Sequence, residues 1–269
     1  MKAYTNRVLV SFQGKCPLEC KHCYTLDHVC QKNNQDIDEI EQIISSIREM
    51  KFDIIYVSHD RENFIDEQAG LQLVESLYEA FHKSIFIITR KCLCRDTIVK
   101  LANLRRKMEI NNHYLFVAVS IPANSSYGIT EKIDKISTPE ARCELLKSLH
   151  KNGINSILLA RPLFPNAIIP TEEIIELITK YHKYIDAVVA SGLAINNSIL
   201  GRLGMNEKDF KYLPGNNDSF LIGSSAKDIK YIDVSAELSE IDRVCNEYGI
   251  VFSNHSMDAL NKIQCNYCN

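Results

Sequence analysis

Three thiols fall within eight positions of the chain, in the run Cys16-Pro17-Leu18-Glu19-Cys20-Lys21-His22-Cys23-Tyr24. Thiolates are the usual ligands of iron–sulfur clusters, and a cubane of the [4Fe-4S] type has four irons to ligate. Three local cysteines leave one iron open, and an unfilled coordination position is where a small molecule can bind and be transformed. The competing chemistry is a closed zinc knuckle, which needs a fourth ligand nearby; Cys30, seven residues past Cys23, is the local candidate. Lys15 and Lys21 flank the triad, where they can offset part of the negative charge of a thiolate-bound cluster.

The other cysteines are less informative. Cys265 and Cys268 form a C-x2-C pair that would need partners, and Cys92 and Cys94 are the nearest in type. That spacing is weak, and no second cluster is expected. Cys143 and Cys245 fall on helical patterns and should pack as small hydrophobes.

The elements that must position the triad follow from periodicity. Short β-branched runs at 7–12, 53–58, 84–89, 114–121, 156–162 and 186–191 predict strands, and the segments between them have helical period. The first helix places Ile37, Ile40, Ile43, Ile44, Ile47 and Met50 on one face. The fourth opens at Thr138-Pro139-Glu140 and closes at Asn152-Gly153, while the fifth opens at Pro170-Thr171-Glu172-Glu173. Strands alternating with helices pair in parallel, so the fold class is α/β, a partial (β/α)6 barrel of the TIM type. Residues 1–191 make this core. Residues 192–269 make a C-terminal extension on the same domain, with the turn Pro214-Gly215-Asn216-Asn217, a helix at 236–248 and a short strand at 250–253. The triad then sits in the loop after strand one, at the end of the barrel where active sites lie.

The pattern C-x3-C-x2-C, followed here by Tyr24 and placed after the first strand, resembles the signature of the radical S-adenosylmethionine (SAM) superfamily. The resemblance implies a [4Fe-4S] cluster on Cys16, Cys20 and Cys23, with SAM chelating the open iron through its amino and carboxylate groups. Electron transfer from the cluster would cleave the sulfonium to a 5′-deoxyadenosyl radical that abstracts hydrogen from substrate. It also implies SAM contacts at successive strand ends. His22 stands where a residue's backbone meets adenine. Ser58 and Asp60 replace the usual Gly-Gly-Glu segment and can accept from the ammonium. Thr89, Arg90, Ser120 and Arg161 close strands three, four and five.

The stretch from Thr89-Arg90-Lys91 to Arg95-Asp96, with residues 131–142, is similar to the branch containing spore photoproduct lyase, in which a basic residue after the threonine meets the SAM carboxylate. This points to Arg90. No cysteine stands at the end of strand two, where that enzyme keeps its hydrogen donor, so the lesion is not carried over.

Composition sets the remaining bounds. At 269 residues with 45% hydrophobic residues the chain can bury one large core. A formal charge of −3 and a pI near 6.3 argue against a nucleic-acid or anionic-membrane partner. Polar Tyr4-Thr5-Asn6-Arg7 interrupts any leader-like run, no long apolar stretch follows, and a cytoplasmic protein with reduced thiols is expected. The expected partners are a small-molecule substrate and an external electron donor such as flavodoxin or ferredoxin. The alternative class is an iron–sulfur or zinc protein that senses redox state or recruits a partner, without SAM chemistry.

Overall fold

The computed structural model describes residues 3–27, 38–213 and 230–266. The six expected strands are present in order: β1 (Arg7–Val10), β2 (Ile54–Val57), β3 (Ser84–Thr89), β4 (Leu115–Ser120), β5 (Asn155–Leu163) and β6 (Ala187–Gly192). Each pairs in parallel with the next. A seventh parallel strand (Val251–Ser253), the short segment expected near 250–253, joins the far edge beside β6, so the sheet holds seven strands. A small antiparallel pair, β7 (Ala194–Ile195) with β8 (Lys230–Tyr231), precedes that edge strand, β9. The turn at Pro214, Ile37, Cys30 and Cys268 lie outside the described residues.

The crossover helices are α1 (Asp38–Ile47), α2 (Glu67–Phe81), α3 (Arg95–Glu109), α4 (Pro139–Lys151) and α5 (Glu172–Tyr181). The fourth begins as its sequence requires. Thr138 Oγ1 accepts from Ala141 N at 3.2 Å, Pro139 occupies the first turn, and Gly153 takes φ +75° just past the end. The fifth departs from expectation: Thr171 adopts helical dihedrals and makes no side-chain cap bond. Glu173 turns instead to the loop after β4, accepting from Asn124 N, Ser126 N and the hydroxyls of Ser125 and Ser126. Met50 also departs. The first helix stops at Ile47, and the tight turn after it leaves Met50 off the apolar face and 56% exposed.

Period-two alternation divides the core in two. Val8, Val10, Ile55, Val57, Ile85 and Ile87 face the helices, with Cys143 and Cys245 buried among them. Ile54, Tyr56, Phe86, Phe116, Ile157 and Val189 face the barrel interior. There they meet a helix the periodicity did not announce, α8 (Ser256–Asn266), through Ala259, Leu260 and Ile263. Its Asn261 side chain accepts from Tyr4 N at 2.8 Å and donates to Tyr4 O at 3.1 Å. This clamp joins the segment leading into β1 to the element following β9, across the open side of the sheet.

The extension also touches β6 directly. A Cβ on Gly192 would come within 2.5 Å of the Ile232 carbonyl, so only glycine allows that approach. No helix among the described residues is long and apolar enough to cross a membrane.

Candidate active site

The triad loop leaves β1 and is held from two sides. From the segment after β4, the Thr130 carbonyl accepts from Lys21 N at 2.9 Å and from His22 Nδ1 at 3.0 Å, while Lys21 Nζ donates to the Gly128 carbonyl at 2.8 Å. Lys132 and Lys135 converge on Glu19, each at 2.7 Å, and Lys15 joins them at 3.0 Å. The two flanking lysines are thus engaged with the loop's own fastenings. From the extension, Arg202 on α6 (Asn197–Leu203) donates to the carbonyls of Lys21 at 2.9 Å and Cys23 at 2.7 Å and pairs with Asp27.

Cys16, Cys20 and Cys23 surround a small apolar patch of Leu18, Ile136 and Tyr127. Burial pushes the Cys20 thiol up to about 12, against the pull of the Arg90 guanidinium. A sulfur so placed becomes a thiolate when a metal takes the proton's place. Among the described residues no three cysteine, histidine or acidic side chains converge as a single-ion site. The three thiols share one loop, and a multi-iron cluster takes one thiolate per iron. Donor type, burial and the neighbouring cation therefore fit such a cluster.

A buried charge network lies behind the triad. Arg90 follows β3; its Nη2 is 3.4 Å from His22 Nε2 and its Nε 3.3 Å from Glu131 Oε1. Burial opposes the Arg90 charge, but Cys20, Glu131, Cys23 and Glu62 outweigh it and raise the pKa. His22 is held down to about 3, first by burial and then by Arg90, so its ring is neutral. The Thr130 carbonyl can only accept, which puts the proton on Nδ1 and turns the Nε2 lone pair toward Arg90. Glu131, itself buried, is gripped by Arg142 through Nη2–Oε2 at 2.6 Å and Nη1–Oε1 at 3.1 Å. Arg142 also donates to the Ser120 carbonyl and is 0% exposed.

The structure distributes the other candidates unevenly. Ser58 ends β2 at φ +67°, and its hydroxyl accepts from Asn63 N at 3.2 Å, which leaves a second lone pair. Asp60 is exposed and accepts from the Tyr24 hydroxyl and from His59. Thr89 is buried and serves as a brace, donating to Glu62 Oε2 at 3.1 Å and accepting from Lys91 N at 3.0 Å. Ser120 is buried, its hydroxyl 3.5 Å from the Arg161 carbonyl. Arg161, near the end of β5, has Tyr56 and Arg7 within reach of its charge and donates to the Asn254 carbonyl. Cys92 and Cys94 are exposed and make local contacts with the Ala141 carbonyl and the Thr97 hydroxyl; Cys265 is exposed on α8.

Two contributors escaped the sequence reading. Glu62 is buried and accepts from Arg90 N at 2.7 Å, Phe64 N at 3.0 Å and Thr89 Oγ1, and so fixes the backbone from which Arg90 projects. Burial raises its pKa despite those donors. An acid directly before Asn63-Phe64, in the segment otherwise read for Ser58 and Asp60, was the available signal. Arg202 had none, because its partner Asp27 lies 175 positions away.

This architecture is shared with solved structures of low sequence identity. No family model and no curated protein matches the chain by sequence, but solved structures do. A spore photoproduct lyase double mutant with bound AdoMet and dinucleoside spore photoproduct is similar at TM-score 0.60 and 12% identity, covering 91% of this chain and 75% of that one. A tyrosine-to-phenylalanine mutant of spore photoproduct lyase is similar at TM-score 0.61 and 9% identity, over 90% and 74%. SuiB of Streptococcus suis is similar at TM-score 0.55 and 15% identity, with 93% of this chain spanning 49% of SuiB. At these identities the likeness is one of fold.

Proposed function

We propose that the chain is a radical SAM enzyme, with Cys16, Cys20 and Cys23 as the ligands of a [4Fe-4S] cluster. The observation that supports this best is the position of the triad. Three thiols lie on the loop after β1 at the C-terminal mouth of a parallel barrel, faced by the Arg90 guanidinium. When bound, the cluster and SAM supply reductive cleavage of the sulfonium to methionine and a 5′-deoxyadenosyl radical able to abstract hydrogen.

The residues of this chain bind, orient and shield. Arg90, with its backbone fixed by Glu62 and its side chain shared between Glu131 and His22, offers a fork to the SAM carboxylate. Ser58 and Asp60 offer oxygen acceptors to the ammonium group, and the main chain at His22 lies beside the triad to receive adenine. Arg202 and the segment after β4 cover the triad loop and limit the access of water. An external donor such as flavodoxin or ferredoxin delivers the electron, and the hydrogen donor is a small molecule.

Anaerobically reconstituted, reduced protein is expected to convert SAM to 5′-deoxyadenosine and methionine, slowly even without substrate. Alanine at Cys16, Cys20 or Cys23 should remove both the cluster absorbance and this cleavage. A wild-type protein that holds a cluster yet neither binds nor cleaves SAM would make the redox-sensor reading the correct one.

A further inference from the structure

The turn that follows the triad places a hydroxyl on one of its sulfurs. Cys23 leads directly into a short 3-10 helix, Tyr24–Asp27, and the Thr25 side chain reaches back from it, its Oγ1 2.9 Å from Cys23 Sγ. Among the described residues neither the Cys16 nor the Cys20 sulfur has such a partner. Both ends of the turn are pinned by α6. Arg202 Nη2 donates to the Cys23 carbonyl at 2.7 Å, while Asp27 accepts from Arg202, from Ser198 Oγ at 2.6 Å and from Asn196 Nδ2 at 3.3 Å. Threonine is branched at Cβ and has few rotamers, so a turn fixed at both ends holds the hydroxyl against the sulfur.

The direction of this bond follows from the chemistry of the sulfur. A free thiol can give its proton to the threonine, but a thiolate bound to iron has none, so the hydroxyl is then the donor. A donor at a ligating sulfur draws off electron density and favours the state that carries the extra electron. Hydrogen bonds to the sulfurs are among the features that set an iron–sulfur potential. The Thr25–Cys23 bond is half-buried, so water competes with it and its effect is that of one modest hydrogen bond.

We propose that Thr25 is a positioning residue that acts through Cys23, raising the reduction potential of the cluster and so easing its reduction by the external donor. The proposal rests on the triad holding a cluster and goes beyond it, because a triad without the Thr25 hydroxyl would hold the same cluster at a lower potential.

Potentiometry of the anaerobically reconstituted protein without SAM, followed by electron paramagnetic resonance, tests it. Thr25→Val keeps the shape and removes the hydroxyl. It should raise the ratio of oxidised to reduced cluster at a fixed potential about fivefold, a downward shift of ~40 mV for a one-electron couple, whereas Thr25→Ser should stay within about twofold of the wild type. Thr97→Val deletes a hydroxyl 3.3 Å from Cys94 Sγ, a thiol outside the triad, and should leave the potential unchanged. Resonance Raman spectra supply a second readout: the iron–thiolate bands of the wild type should shift more on transfer to deuterium oxide than those of Thr25→Val. Thr25→Ala takes the place of Thr25→Val if that variant fails to fold. The proposal is overturned if removal of the hydroxyl leaves the wild-type potential, if Thr25→Ser moves the potential as far as Thr25→Val, or if Thr97→Val moves it equally. Iron and sulfide analysis separates the two readings: a wild type without a cluster defeats the triad assignment and this proposal with it, while a full cluster with an unmoved potential defeats the role of Thr25 alone.

Discussion

Arg142 and Arg161 lie at the same end of the same barrel and have opposite surroundings. Arg142 is 0% exposed and anchored by two bonds to Glu131 and one to the Ser120 carbonyl. Arg161 is half-buried, donates to a backbone carbonyl and has no carboxylate partner among the described residues. A buried charge that the chain itself neutralises is scaffold, and it holds Arg90 and His22 in place beside the triad. A half-buried guanidinium keeps part of its hydration and stands without a counter-ion from the chain.

The comparison is broken most severely by removing Glu131. Glu131→Ala leaves Arg142 buried and alone and should cost about 3–5 kcal/mol in urea unfolding. Adding Arg142→Met to it should restore part of the loss; no recovery would mean that stranded charge is not the cause. Next in size is Arg202→Gln, which removes the donors to the Lys21 and Cys23 carbonyls. It should cost about 1–2 kcal/mol and speed the loss of cluster absorbance to a chelator, whereas an unchanged rate would detach the extension from the triad loop.

Glu173 sharpens the comparison through pH. Burial tends to raise its pKa, but the donors from Ser126, Ser125 and Asn124 outweigh this and lower it. A carboxyl depressed in the folded state stabilises above its unfolded value and loses that benefit as pH falls through the folded one. Glu173→Gln should therefore cost about 1 kcal/mol at neutral pH and progressively less below about pH 4. A cost independent of pH would assign the effect to packing. Smallest is Met50→Lys, expected to change stability by less than about 0.5 kcal/mol, because the side chain is 56% exposed beyond the end of its helix.

Much of the scaffold was legible because local chemistry dictates it. The β-branched runs of β2 and β3 are strands wherever they are buried, and Thr138-Pro139 with Gly153 brackets α4 in any context. The last helix, α8, was not legible. Its apolar positions, Met257, Leu260 and Ile263, gain meaning only from the interior they fill. The triad was legible because three ligands of one centre sit together in sequence. Glu62 was marked only as an acid beside the segment read for Ser58 and Asp60, and Arg202 not at all, since each works through a partner whose distance in sequence leaves no periodic trace. Thr89 stands at the expected strand end, where it braces Glu62 from within the sheet.

The clamp between Tyr4 and Asn261 bears on how the protein is made. Ribosomes deliver a chain from its N-terminus, so all seven strands emerge before the helix that covers their inner face. Until residues 256–266 have been synthesised, Tyr56, Phe86 and Phe116 line an uncovered apolar trough, and Tyr4 waits for its partner. The nascent barrel is therefore exposed to self-association for the whole of that interval. Chaperone binding during translation should be greatest after β6 has emerged and should end when α8 docks.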